Sequence, residues 1–103
     1  MNTRKYIEGI CFEWDSIKAH LVWQKHNVSF DEALTVLVYD DFSYTNEDTR
    51  DYNGERRYIT IGLSTKIRLL CVTWTVRNDC YRIITARQAN KYERRGYEHG
   101  KTI

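Results

Sequence analysis

Three consecutive runs rich in β-branched and aromatic residues, Tyr58–Leu63, Arg68–Val76 and Tyr81–Ala86, constrain this chain more than any other feature. Short breaks at 64–67 and 78–79 separate them, which predicts a meander of three antiparallel strands. In the middle run Leu70, Val72, Trp74 and Val76 fall on one side. Leu69, Cys71, Thr73, Thr75 and Arg77 fall on the other, because side chains alternate across a strand. The first set is a core face and the second is half polar. With Asn78-Asp79 as a two-residue turn, Arg77 stands opposite Cys80 and Thr75 opposite Arg82. That gathers Thr73, Thr75, Arg77 and Arg82 on one face, and it places Arg68 and Arg87 near each other at the far end of the same hairpin. A sheet packed on one side, with Arg and Thr on its free side, suits phosphate binding. The same pattern also fits an ordinary solvated strand face.

Charge is distributed unevenly along the chain. Residues 1–55 carry 5 Lys/Arg against 11 Asp/Glu, a balance of −6, whereas residues 56–103 carry 11 against 3, a balance of +8. So basic a half-chain suggests an acidic partner, nucleic acid being the commonest, unless the two halves neutralise each other within the fold. The 103 residues are enough for one core, and 1–103 reads as a single domain. Cys11, Cys71 and Cys80 show no C-x-x-C spacing, and His20, His26 and His99 form no ligand pattern. The expectation is reduced, buried thiols in a cytoplasmic protein with no metal and no cofactor. No apolar run reaches transmembrane length and no charged-then-apolar leader points to export.

The remaining elements follow in order. Tyr6, residues 9–12 and Trp14 form a mostly apolar strand candidate. Asp15 is placed to cap a helix with Ile17, Leu21 and Gln24 along one stripe, and Asn27 stands where a left-handed terminator is needed. Ser29 to Glu32 reads as a capping box, Ser29 capping and Glu32 reaching back. Phe30, Ala33, Leu34 and Leu37 then predict a second amphipathic helix to about Val38. Residues 40–54 read as an acidic loop that could hold an edge strand at 42–45. A last helix is expected from Gln88 to His99, stopped by Gly100. The order is β-α-α-(β)-β-β-β-α, an α+β fold with an antiparallel sheet covered on one face by two N-terminal helices.

Several blocks resemble the BrnT family. FEWD at 12–15, Lys18-Ala19 and KHNVSFDEA at 25–33 match the family's FEWDxxKAxxNxxKHGVSFEEA. RYITIGLS at 57–64, RLLCVTWTVR at 68–77 and YRIITARQA at 81–89, with Tyr97-Glu98 beyond, match its later blocks. Three positions depart: Val22 where the family has Asn, and Asn27 and Ile67 where it has Gly. The resemblance implies a RelE-like toxin of a type II toxin–antitoxin pair, a metal-free ribonuclease that stops translation. It also implies neutralisation by a BrnA-like ribbon-helix-helix antitoxin, which binds operator DNA, in a heterotetramer typical of such pairs.

Cleaving RNA without a metal needs a base for the 2′-OH, donors for the charge developing on phosphorus, and an acid for the leaving 5′-oxygen. Arg68, Arg77, Arg82 and Arg87 are the candidates for the middle role, since a guanidinium grips phosphate in two-point fashion. His26, assisted by Lys25, is the candidate base or acid, although a His at a helix C-terminus is also favoured by the helix dipole. Thr73 and Thr75 join Lys25 as candidate RNA contacts. Tyr97 is a candidate donor or stacking ring, with Glu93 as a support for Arg87 or one half of an ion pair. The alternative function is a non-catalytic module whose basic hairpin serves only to bind RNA or the antitoxin.

Overall fold

The computed structural model describes residues 1–100 of the chain. Six strands and three helices follow one another as β1 (Asn2–Ile7), β2 (Ile10–Asp15), α1 (Ser16–His26), α2 (Phe30–Tyr39), β3 (Tyr44–Asp48), β4 (Arg57–Leu63), β5 (Leu69–Arg77), β6 (Cys80–Gln88) and α3 (Lys91–Glu98). They form one mixed sheet in the order β1-β2-β6-β5-β4-β3, in which only β2 and β6 pair in parallel. The α+β class holds. The extra N-terminal strand and the six-stranded sheet make it not exactly the RelE-like arrangement expected.

The meander forms as its alternation dictates. Arg77 pairs with Cys80 and Thr75 with Arg82 across a turn in which Asn78 and Asp79 both have positive φ, as a type I′ hairpin requires. Thr73 pairs with Thr85 but Trp74 with Ile83, so Ile84 is bulged out of β6. Leu70, Val72, Ile83 and Ala86 join Phe12, Trp14, Phe30, Ala33, Leu34 and Val36 in the main core beneath α1 and α2. Each fully buried large side chain there contributes roughly 1.5–3 kcal/mol. On the opposite face, Ile61, Leu69 and Cys71 make a smaller cluster with Tyr44 and Tyr97, so α3 covers one end of that face. Burial pushes the Cys71 thiol up to about 11. The α2 helix approaches β4 so closely that a Cβ on Gly62 would stand 2.6 Å from Val36 Cγ1.

Several expectations change. Asn2–Ile7, mostly exposed and without apolar alternation, is a strand because it pairs with β2 through a two-residue turn at Glu8-Gly9, both with positive φ. The acidic stretch does hold an edge strand, displaced to Tyr44–Asp48. In α1 the buried residue is Val22, whereas Ile17 and Leu21 are exposed. The helix packs on β6 and β2 through Val22 and Ala19, so a narrower stripe meets the core. Asp15 caps α1, its carboxylate accepting from Ile17 N at 2.9 Å, and Asn27 terminates it at φ 57°. The Ser29 cap forms, but Glu32 does not reach back, because its carboxylate is taken by Arg68 and Ser64. The complete capping box is at Asn90 and Glu93, and α3 starts only after β6 has run through Gln88.

The cysteine expectation is also corrected. Cys11 and Cys80 form a disulfide with a Cα separation of 4.7 Å, and Cys71 alone is free among the described residues. Parallel pairing of Phe12 with Tyr81 brings their preceding residues together, a contact invisible without the β2–β6 register. No helix among the described residues is long and apolar enough to cross a membrane.

Candidate functional site

On the face of the sheet away from the main core, Arg77 and Arg82 stand on neighbouring strands at the hairpin end. With Arg57 of β4 and Lys18 of α1 they line a hollow of about 200 Å³, together with Asp15 and the bulged Ile84. Four cations and one carboxylate make this hollow suited to an anion. Its guanidiniums are held in an orderly way. Glu55 accepts from Arg77 Nε at 2.7 Å and from Arg57 Nε at 3.1 Å. Glu13, almost fully buried, accepts from Arg82 Nη1 at 3.0 Å and from Arg4 Nη2 at 3.0 Å. Arg82 also donates to the Asn2 side chain at 3.3 Å. The bond from Arg77 does most to hold the Glu55 carboxyl below its ordinary range. Burial works to raise Glu13, but its two arginines outweigh that and lower it. Each carboxylate is therefore shared by two guanidiniums, so one of each pair can turn to a phosphate without leaving a bare buried charge.

Arg68 and Arg87 are not neighbours. Cys71 pairs with Arg87 on the arginine-bearing face, while Arg68, one residue before Leu69, points to the helix side. There its Nε donates to Glu32 at 3.0 Å, its Nη2 bonds the same carboxylate, and Nη2 also donates to the Asn27 carbonyl at 2.9 Å. Glu32 has 1% of its side chain exposed and accepts from Ser64 Oγ at 2.7 Å as well. Burial pushes its carboxyl up, and Arg68 and Ser64 more than reverse that. Arg87 makes a two-point bond to Glu93, 2.8 Å on each side, fixing α3 to the end of β6. Tyr97 donates to Asp40 at 2.8 Å, and burial followed by that carboxylate raises its hydroxyl to about 12.

Lys25 and His26 lie in a second hollow of about 390 Å³, lined also by Lys18, Leu21, Val22 and Thr85. Lys18 belongs to both hollows, so they adjoin along α1. Thr73 is half-buried on the arginine-bearing face. Thr75 is 1% exposed and its hydroxyl donates to the Arg56 carbonyl at 2.5 Å, so this side chain is closed to a ligand. Of the residues expected from the sequence, the structure brings Arg77, Arg82, Lys25 and His26 along two joined hollows and sets Arg68, Arg87, Glu93 and Tyr97 elsewhere. Sequence reasoning missed Arg57 and Lys18, although strand alternation already sets Arg57 on the same side as Ile59 and Ile61. A larger hollow, about 740 Å³ between 41–45 and the end of α3, has no arginine in its lining and two carboxylates, Asp41 and Glu98, so it is a poor anion site. No three described His, Cys, Asp or Glu side chains are grouped to hold a metal ion.

Residues 14–93 match the family model described as ribonuclease toxin, BrnT, of type II toxin–antitoxin system. The chain belongs to this family. A crystal structure of the Brucella abortus ribonuclease toxin, BrnT, is similar in fold, with a TM-score of 0.53 at 18% identity over 76% of this chain and 94% of that one. No curated protein matches. Of the departures from the BrnT pattern, Val22 is buried in the main core and Asn27 adopts the left-handed conformation in Gly's place. Ile67 does the same at φ 59°, exposed in the turn before Arg68. All three lie outside the arginine hollow.

Proposed function

We propose that this chain is an endoribonuclease that works without a metal and cleaves RNA in the paired hollows beside α1. The convergence of Lys18, Arg57, Arg77 and Arg82 on one anion-sized space carries this reading. A ribose-phosphate chain laid there exchanges the Glu55 and Glu13 contacts of Arg77 and Arg82 for its own oxygens. Those guanidiniums then meet the negative charge that grows on phosphorus as the 2′-oxygen attacks, the term that contributes most in such reactions. His26, one hollow away with Lys25 beside it, serves as the proton carrier. Arg68, Arg87, Glu93 and Tyr97 act by holding α2, α3 and the loop at Asp40 against the sheet. In the cell the consequence is arrest of translation in the cytoplasm. A BrnA-like ribbon-helix-helix antitoxin relieves the arrest by binding the toxin, in a heterotetramer, and represses the operon through its own DNA-binding domain.

The test is incubation of purified protein with single-stranded RNA in EDTA, beside Arg77→Ala and Arg82→Ala. Each substitution is expected to slow cleavage by about 10²–10³-fold, the usual effect of removing one charge-stabilising donor. Salt-sensitive binding of RNA that stays intact would instead establish the non-catalytic module. Cleavage that survives both substitutions would place the chemistry elsewhere.

A further inference from the structure

The α1 helix buries little of its apolar surface. Ile17 is 65% exposed and Leu21 54%, one turn apart on the same side. Lys18 and Lys25 run alongside this ridge, and the helix contains Lys18, His20, Lys25 and His26 but no acidic residue. Leu21 belongs both to the ridge and to the lining of the hollow that holds Lys25 and His26. A phosphate chain explains the lysines but not the ridge, since aliphatic side chains offer nothing to a ribose-phosphate backbone. Aliphatic groups bordered by cations fit an apolar seam flanked by carboxylates, the surface of an acidic amphipathic protein segment.

We infer that the exposed Ile17–Leu21 ridge of α1 is where the protein antitoxin docks, through an acidic amphipathic segment that seats apolar groups on the ridge and carboxylates on Lys18 and Lys25. The docked segment lies across the mouth of the proposed RNA site, which Lys18 shares, so binding and inhibition are one event. The inference rests on the toxin reading and specifies its regulation. It predicts that recognition and catalysis are separable at Ile17, which lines neither hollow of the proposed RNA site.

The test is the variant Ile17→Glu, whose site is solvent-exposed and lines neither hollow, with circular dichroism and melting temperature confirming the fold. The probe is the cognate antitoxin protein, titrated calorimetrically at fixed salt. The expected result is a Kd about 30-fold weaker or more, as when a central anchor of an interface is lost, with RNA cleavage by the free variant within twofold of the parent and no longer suppressed by antitoxin. An unchanged Kd overturns the inference, as does antitoxin failing to bind the parent protein. A parent that dimerises by light scattering and becomes monomeric in the variant assigns the ridge to a second copy of this chain. Loss of RNA affinity in the variant assigns it to nucleic acid. If parent and variant both leave RNA intact while antitoxin binding is still lost, the docking site stands and the ribonuclease reading alone fails.

Discussion

Replacing Arg68 by Ala separates a structural arginine from a catalytic one. Arg68 meets a carboxylate whose side chain is 1% exposed, and it keeps 26% of its own side chain in water. Removing it leaves Glu32 with Ser64 as its remaining side-chain partner and frees the Asn27 carbonyl between α1 and α2. Breaking one side of a buried ion pair costs about 3–5 kcal/mol, and the partial exposure of Arg68 sets the lower end, about 3 kcal/mol. At about 4–8 °C per kcal/mol for a domain this size, the melting temperature falls by at least ~12 °C. Adding Glu32→Gln removes the stranded charge and is expected to recover about 1–2 kcal/mol of that loss. The effect also depends on pH with a definite sign. In the parent protein the Glu32 pKa is depressed, so its contribution is present above the ordinary carboxylate pKa and is lost as pH falls through the lowered value. In Arg68→Ala burial dominates and raises that pKa, so acid favours the variant. The stability gap measured by urea unfolding therefore starts to narrow above the ordinary carboxylate pKa, as pH falls through the variant's raised value, and goes on narrowing down to the parent's lowered one. A variant with unchanged melting temperature and RNA cleavage reduced a hundredfold would refute this reasoning and return Arg68 to the chemistry.

Three further outcomes are expected. Ile67→Gly stabilises the protein by about 1 kcal/mol, because a β-branched residue in the left-handed region costs about 1–2 kcal/mol and glycine returns part of that as unfolded-state entropy; thermal melting checks it. Gly62→Ala destabilises by about 1–3 kcal/mol, since its methyl would press on Val36 and Ser43; a urea midpoint equal to the parent's would contradict the close approach of α2. Reduction of Cys11–Cys80, or Cys11→Ser/Cys80→Ser, lowers stability by about 4 kcal/mol on the chain-entropy model for a separation of 69 residues; paired unfolding curves with and without a thiol reductant measure it.

The meander was legible because its strands alternate strictly and its turn carries Asn-Asp, so the Arg77–Cys80 and Thr75–Arg82 pairs followed from local rules. What escaped were contacts that local rules do not contain. Asn2–Ile7 is a strand through its partner, not its own pattern. The disulfide and the Glu13–Arg82 bond depend on parallel pairing between segments far apart in the chain. Arg68 was misplaced relative to Arg87 because closeness along the hairpin was read without asking which face each side chain takes. Glu32 illustrates competition: the capping-box spacing is present, but a half-buried arginine is a stronger partner for a carboxylate than a backbone N–H. Lys18 and Arg57 were hidden because a hollow is made by three elements at once.

The arginine hollow draws on both ends of the polypeptide. Glu13, which positions Arg82, and Cys11, which is bonded to Cys80, each reach across 69 residues. A chain still emerging from the ribosome can close its first hairpin but has nothing to anchor it until the second half of the message has been read. Any product cut short before Arg82 therefore carries Glu13 without the guanidinium that it positions, and the arginine hollow is complete only when synthesis is almost done.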